Sequence, residues 1–226
     1  TLFRSSTDTE RETRAVLAIK PVFVRREVHT GFGLNLQRGH RLPRGRAVQA
    51  PRDGVTRSQS YVGRSSLGPS YDLAGRVSDL RIWTQPRSQA DIAAGMTARL
   101  CGNENGLSHH FPLGDAVGSS AANRVRKDGS VSSGGAWSAL PYANALRFDG
   151  TGTYVQLPAM STDFRQQGFT IEAWVYFEDN SSWARIVDIG NGTASDNVLL
   201  ARAGTSDDLA LHIYRGGTCQ EVIAAG

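Results

Sequence analysis

Phe148-Asp149-Gly150-Thr151-Gly152-Thr153-Tyr154-Val155-Gln156-Leu157, followed by Phe169-Thr170-Ile171-Glu172-Ala173-Trp174-Val175-Tyr176-Phe177, decides the fold class of this chain. Both runs alternate large apolar residues with polar or small ones around an Asp-Gly turn, the period-two pattern of strands with one face on a core. In the second run Phe169, Ile171, Ala173, Val175 and Phe177 fall on one face, and Thr170, Glu172, Trp174 and Tyr176 on the other. The first face is dry and the second mixed.

Upstream stands a second set of strand-like blocks: Val55–Ser65, Leu73–Trp83, then Arg87-Ser88-Gln89-Ala90-Asp91-Ile92 and Gly106–Leu113. Together with the Phe148–Leu157 and Phe169–Phe177 runs, this wording resembles the laminin-G-like, concanavalin A-like jelly-roll domains. The upstream blocks resemble the close of such a domain and the downstream runs its opening. The resemblance implies an all-β, antiparallel jelly-roll β-sandwich of the concanavalin A-like kind. Its order divides the chain into an atypical Arg-rich segment at 1–48, the closing half of one repeat at 49–113, a linker at 114–141, and the opening half of the next at 142–226. Because the closing half comes first, the two halves are expected to assemble as one permuted sandwich, since separate halves would leave sheet edges unpaired.

Further strands are expected at Ser60–Arg64, Gly75–Trp83, Leu107–Leu113, Ala184–Ile189, Asn197–Arg202, Leu209–Tyr214 and Thr218–Ala224. Arg87 to Leu100 reads as one short amphipathic helix near 88–100. Ser88 caps it, Asp91 favours its N-terminus, Ile92, Met96 and Leu100 recur at spacing four, and Gly102 stops it. Residues 114–139 are rich in Gly, Ser and Ala without periodicity and read as a linker or surface loop.

Composition fits a fragment of a larger β-rich repeat protein. The 226 residues include 25 Gly, as expected of many short strands joined by tight turns. No apolar run nears the roughly 20 residues that cross a bilayer. Cys101 and Cys219, the only cysteines, leave one cross-link or two free thiols open. Charge is uneven. Residues 1–57 hold 12 of the 25 Lys+Arg but 5 of the 21 Asp+Glu, so the high pI of 9.4 belongs to one end. That end reads either as a basic arm for nucleic acid or acidic polysaccharide, or as a GC-rich coding sequence translated out of frame. Only Phe3, Phe23 and Phe32 are there to stack on bases, which argues against specific nucleic-acid binding. Within it, Val22–Val24 is the one strand candidate.

An enzyme of this fold would be a glycoside hydrolase, which needs two carboxylates about 5–10 Å apart. Glu172 has no acidic partner at 170, 174 or 176, and Ser108-His109-His110 has no orienting acid. The chain therefore reads as a non-enzymatic carbohydrate- or protein-binding module of an extracellular or cell-surface protein. A glucanase-like sandwich, a structural spacer and a basic nucleic-acid-binding segment at 1–57 stand as alternatives. Trp183 with Asn180 and Asn191 are the candidate ligand-binding residues, on loops at one rim where function varies without disturbing sheets. Asp149 and Asp188, in Asp-Gly and Asn-Gly loops, are the candidate ligands of a structural calcium, a hard cation that takes carboxylate and carbonyl oxygens. Ordinary β-turns explain the same loops without a metal.

Overall fold

A computed structural model describes residues 13–24, 27–38, 51–52, 54–95, 98–115, 118–126, 128–132, 135–139, 144–161, 164, 168–206 and 208–224, of which 13–24 and 27–38 are described as backbone. Strands dominate: β1 (Thr13–Val24), β2 (Glu27–Arg38), β3 (Gln59–Val62), β4 (Ala74–Trp83), β5 (Leu107–Phe111), β6 (Ser120–Ala121), β7 (Gly129–Val131), β8 (Ala136–Ala139), β9 (Asn144–Asp149), β10 (Val155–Leu157), β11 (Gly168–Phe177), β12 (Arg185–Gly190), β13 (Val198–Arg202), β14 (Leu209–Arg215) and β15 (Thr218–Ala224). Among the described residues an α-helix, α1 (Gln89–Gly95), and a 3-10 turn at Pro69–Tyr71 interrupt them.

The strands form two antiparallel sheets. One has seven strands, in the order β1-β2-β11-β4-β9-β8 with β5 on β4; the other has eight, in the order β15-β14-β13-β12-β3-β10-β7-β6. Residues 55–113 and 142–226 therefore share both sheets. β3 lies between β12 and β10, and β4 between β11 and β9. The apolar period-two faces meet between the layers: Val77, Ile82, Phe148, Phe169, Ile171 and Val175 from the first, Val62, Val155, Val187, Leu200 and Leu211 from the second. Phe177, at the rim of this face, is only partly buried, under the guanidinium of Arg202.

β4 serves two neighbours on one side because it kinks. Asp79 adopts φ +53°, and Ala74–Val77 pair with β9 while Leu80–Trp83 pair with β5. At Gly63 (φ +77°) a Cβ would drive into the Phe148 ring, so only glycine lets the chain leave β3 so close to the core.

Three expectations are corrected. The Arg-rich end carries a long hairpin rather than one strand at Val22–Val24: β1 pairs with β2, and β2 with β11, so that Leu36, Leu34 and Phe32 stand opposite Phe169, Ile171 and Ala173. The rest of 1–48 lies outside the described residues. The stretch read as a linker holds β6, β7 and β8, which extend both sheets and place Ala121 and Val131 in the core. The helix ends at Gly95, short of Leu100. Its cap is as expected: the Ser88 hydroxyl accepts from the Asp91 amide (3.1 Å), and the Ser88 amide donates back to the Asp91 carboxylate (3.2 Å). Beyond the helix the Arg81 guanidinium donates to the carbonyls of Gly95 (2.8 Å) and Ala98 (2.7 Å), which satisfies the chain where the helix would otherwise continue. Met96 lies outside the described residues.

Candidate functional site

Each sheet has an outer face, and the two differ in chemistry. On the seven-stranded sheet the outer side chains of β11, β4 and β5 form a row in which Glu172 stands opposite Arg81, and Arg81 opposite His110. Glu172 is buried and ion-paired with Arg87 and with Arg81 (3.5 Å). Asp79 pairs with Arg81 (2.6 Å) and with His110 Nε2 (2.8 Å). Asp79 is a second acid near Glu172 that strand spacing did not reveal, since it comes from the kink in the neighbouring strand. Burial lifts the Glu172 pKa, against the pull of the two guanidiniums. Arg87 caps the row, its amide donating to the Thr170 hydroxyl (2.9 Å) and its guanidinium lying over Trp83 (4.3 Å). The segment around α1 thus closes over a network of paired charges, in which His110 Nδ1 is buried without a partner. Its acids are paired with cations of the chain.

The eight-stranded sheet is different. One row crosses it through Gln156, Tyr61, Asp188, Leu199, His212 and Glu221, on β10, β3, β12, β13, β14 and β15. Ring side chains crowd this face. Trp183 lies against His212 (centroids 5.3 Å), His212 against Tyr214 (6.4 Å), and the Arg185 guanidinium over Tyr71 (5.0 Å). Tyr61 and Tyr154 meet edge to face (5.6 Å), with Arg64 over Tyr154 (4.4 Å). Trp183, Tyr214, Tyr71, Tyr61 and Tyr154 are all partly exposed. Trp183 sits in a turn at φ +60°; its amide donates to the Gly204 carbonyl (3.0 Å) and its carbonyl accepts from Arg185 (2.8 Å).

Beneath these rings, polar atoms are left without partners. His212 Nε2 is 2.8 Å from Glu221 Oε2, while His212 Nδ1 and Arg185 Nε are buried and unbonded. Burial, helped by the Arg185 charge, holds His212 below the usual imidazole range despite Glu221. Burial and the Cys219 thiol push the Tyr214 hydroxyl up to about 12. The same partial burial raises Cys219, so its sulfur stays a thiol and is no nucleophile at neutral pH. Cys101 and Cys219 are both free and exposed.

The expected site residues separate into three places. Asp149 and the Asn180–Trp183 loop share one end of the sandwich: Asp149 stands opposite Ala74 and Phe177 opposite Gly75, while Gly63, which follows β3, donates to Ile186. Asn191 lies past the far end of β12, where its side-chain oxygen accepts from the Ser58 amide (2.9 Å). Asp188 lies between, on the outer face, and is wholly buried. Its Oδ2 accepts from the Ser66 amide (3.0 Å) and hydroxyl (2.8 Å), and its Oδ1 from Asn197 (2.7 Å). Burial raises its pKa. Asp188 therefore latches the 64–72 loop over the sheet, and an oxygen set already filled by donors does not suit a calcium ligand. Asp149 keeps a freer carboxylate: partial burial works against it, but the amides of Thr151 (2.8 Å) and Thr153 (3.1 Å) on Oδ1 hold its pKa down. Asp72, which motif reading passed over, is the better companion. It is buried, its Oδ2 has no partner, and burial with the nearby Asp149 charge raises its pKa against the Ser65 amide and Arg64. Among the described residues no three His, Cys, Asp or Glu side chains gather as a metal site.

Residues 149–226, about a third of the chain, match the family model of the concanavalin A-like lectin/glucanases superfamily. No curated protein and no solved structure matches. The matched segment carries β10 to β15, and with them Trp183, Arg185, His212 and Tyr214. Among the described residues no helix is long and apolar enough to cross a membrane.

Proposed function

We propose that this chain is a non-enzymatic glycan-binding module of an extracellular or cell-surface protein, and that it binds on the outer face of the eight-stranded sheet around Trp183, Tyr214 and Tyr71. The observation that carries the reading is the set of partly exposed rings there, held by an Arg–aromatic and a His–aromatic contact rather than by the core. Such rings present flat apolar faces to the C–H face of a pyranose, and the polar groups between them orient its hydroxyls. The match to a lectin-bearing superfamily supports the same class. Against catalysis stand the filled ion pairs of Glu172 and Asp79. A glycan array probed with the whole chain, followed by calorimetry on the hits, is the test. Trp183→Ala is expected to weaken binding at least about tenfold, or 1.4 kcal/mol, while Asn191→Ala at the opposite end leaves it unchanged. A blank array turns the reading to a structural spacer, and equal loss in both variants moves the site elsewhere.

Calcium, on this reading, belongs at Asp149 and Asp72 rather than Asp188. Two carboxylates leave most of the six to eight oxygen positions to carbonyls and water, which sets affinity near the weak, millimolar end. Millimolar calcium is expected to raise the melting temperature, by an amount that grows with the logarithm of its excess over the dissociation constant. Asp72→Asn should abolish that rise. A melting temperature that ignores both calcium and chelator rules the ion out.

A further inference from the structure

His212 is placed where its charge state governs the ring above it. A carboxylate only accepts hydrogen bonds, so the 2.8 Å contact to Glu221 fixes the proton on Nε2 and leaves Nδ1 a bare lone pair. That Nδ1 is buried with no donor or acceptor within reach, in a side chain 11% exposed. A neutral imidazole tolerates this position. An imidazolium does not, because its new N–H is sealed from water without an acceptor.

Burial adds to the asymmetry, while the charges around the ring pull both ways. From β15 come Glu221, which favours the cation, and Cys219, a neutral thiol. From β12 come Arg185, which opposes it, and Asp188, which favours it although its carboxylate is engaged by Ser66 and Asn197. β14 adds Tyr214, neutral well beyond physiological pH, and β13 adds only Leu199 opposite His212. Arg185 cannot step aside freely, since it also holds the Trp183 carbonyl (2.8 Å) and lies over Tyr71. The group that can move is His212 itself, and Trp183 rests on it at 5.3 Å, in a turn at φ +60°.

We infer that Trp183, His212 and Glu221 form an acid-sensitive latch under the binding face: protonation of His212 turns its ring out toward water, displaces Trp183, and releases the ligand. This rests on the reading that Trp183 belongs to the glycan site, but the latch itself is measurable without any glycan. Tryptophan fluorescence of the whole chain is recorded from pH 8 to 4.5, and the same titration of Trp183→Phe is subtracted to isolate Trp183. The isolated signal is expected to change with a midpoint below the ordinary histidine value of about 6.5, and to be flat in the corresponding His212→Gln pair. Circular dichroism at each pH confirms that the sheets persist, so a change that coincides with global unfolding overturns the latch. So does a signal from Trp183 that is flat, or that survives in His212→Gln. With a glycan from the array, affinity is expected to fall at least tenfold between pH 7.5 and 5 in the wild type and to be equal at the two pH values in His212→Gln. A fluorescence change without glycan binding sinks the proposed function and spares the latch; binding with no pH dependence does the reverse.

Discussion

His109 illustrates how a single burial event sets a pH dependence. Its Nδ1 lies 3.0 Å from the Ser108 hydroxyl, its ring stacks on Phe111 (6.2 Å, 10° between planes), and it is 2% exposed. Burial first, then the Arg126 charge, lower its pKa to about 4. The unfolded chain takes up this proton near pH 6.5 and the folded chain only near 4, so the folded state loses stability as pH falls through that window. The gap corresponds to about 3 kcal/mol at 1.36 kcal/mol per unit. Urea denaturation at pH 7 and pH 4 should show His109→Gln losing less stability on acidification than the wild type, by about that amount. Equal losses in the two proteins would mean that His109 already titrates normally. His212, on the other sheet, is shifted the same way but lies beside solvent-facing rings, which is why its protonation reads out as ring movement rather than as global loss.

At the scale of elements, the period-two strands were legible because each buries one face and the spacing of apolar residues reports it directly. β11 and β14 follow from Ile171, Val175, Leu209, Leu211 and Ile213 alone, whereas in β4 Val77 is out of phase with Leu80 and Ile82 and reaches the core through the kink at Asp79. β6, β7 and β8 were not legible. At two to four residues they carry no period, and neighbours already in place decide their pairing. The helix was read too long because Gly102 is a clear stop signal, whereas the effective stop is tertiary: Arg81, from a strand, takes the carbonyls of Gly95 and Ala98. The candidate site was half legible. Trp183, in a turn, and Asp149, at the end of β9, stand out in the sequence, but no spacing reveals that Asp188 is sealed by Ser66, or that Asp72 and Asp149 are neighbours. Arg81 carries a testable burden, since it joins Glu172, Asp79 and the α1 segment. Arg81→Ala leaves the buried Glu172 charge to Arg87 alone and takes the donor from the carbonyls of Gly95 and Ala98, with an expected cost of about 3 kcal/mol. Limited proteolysis should then cut first within 89–100, and uniform cleavage along the chain would contradict that anchoring role.

The whole molecule is held by interleaving rather than by two halves touching. β3, from the upstream half, is hydrogen-bonded on both sides by β10 and β12 of the downstream half, and β4 likewise by β9 and β11. Val62, Val77, Leu80 and Ile82 are each 0% exposed, within one core that also holds Phe148, Ile171 and Ile189. Removing residues 1–141 would open both edges of β9, β10 and β11 and one edge of β12 and uncover that core, the condition under which sheets pair with other chains instead. Residues 142–226 alone are therefore expected to show no cooperative melt and to aggregate, although they contain the whole family-matched segment. Co-expression with residues 51–141 should restore a single transition, followed by circular dichroism, with both pieces eluting together. A cooperative melt of 142–226 alone, near the temperature of the full chain, would show that shared strands are not what stabilises it. Binding by the same fragment would locate the glycan face within β12–β15 and leave the upstream half as scaffold.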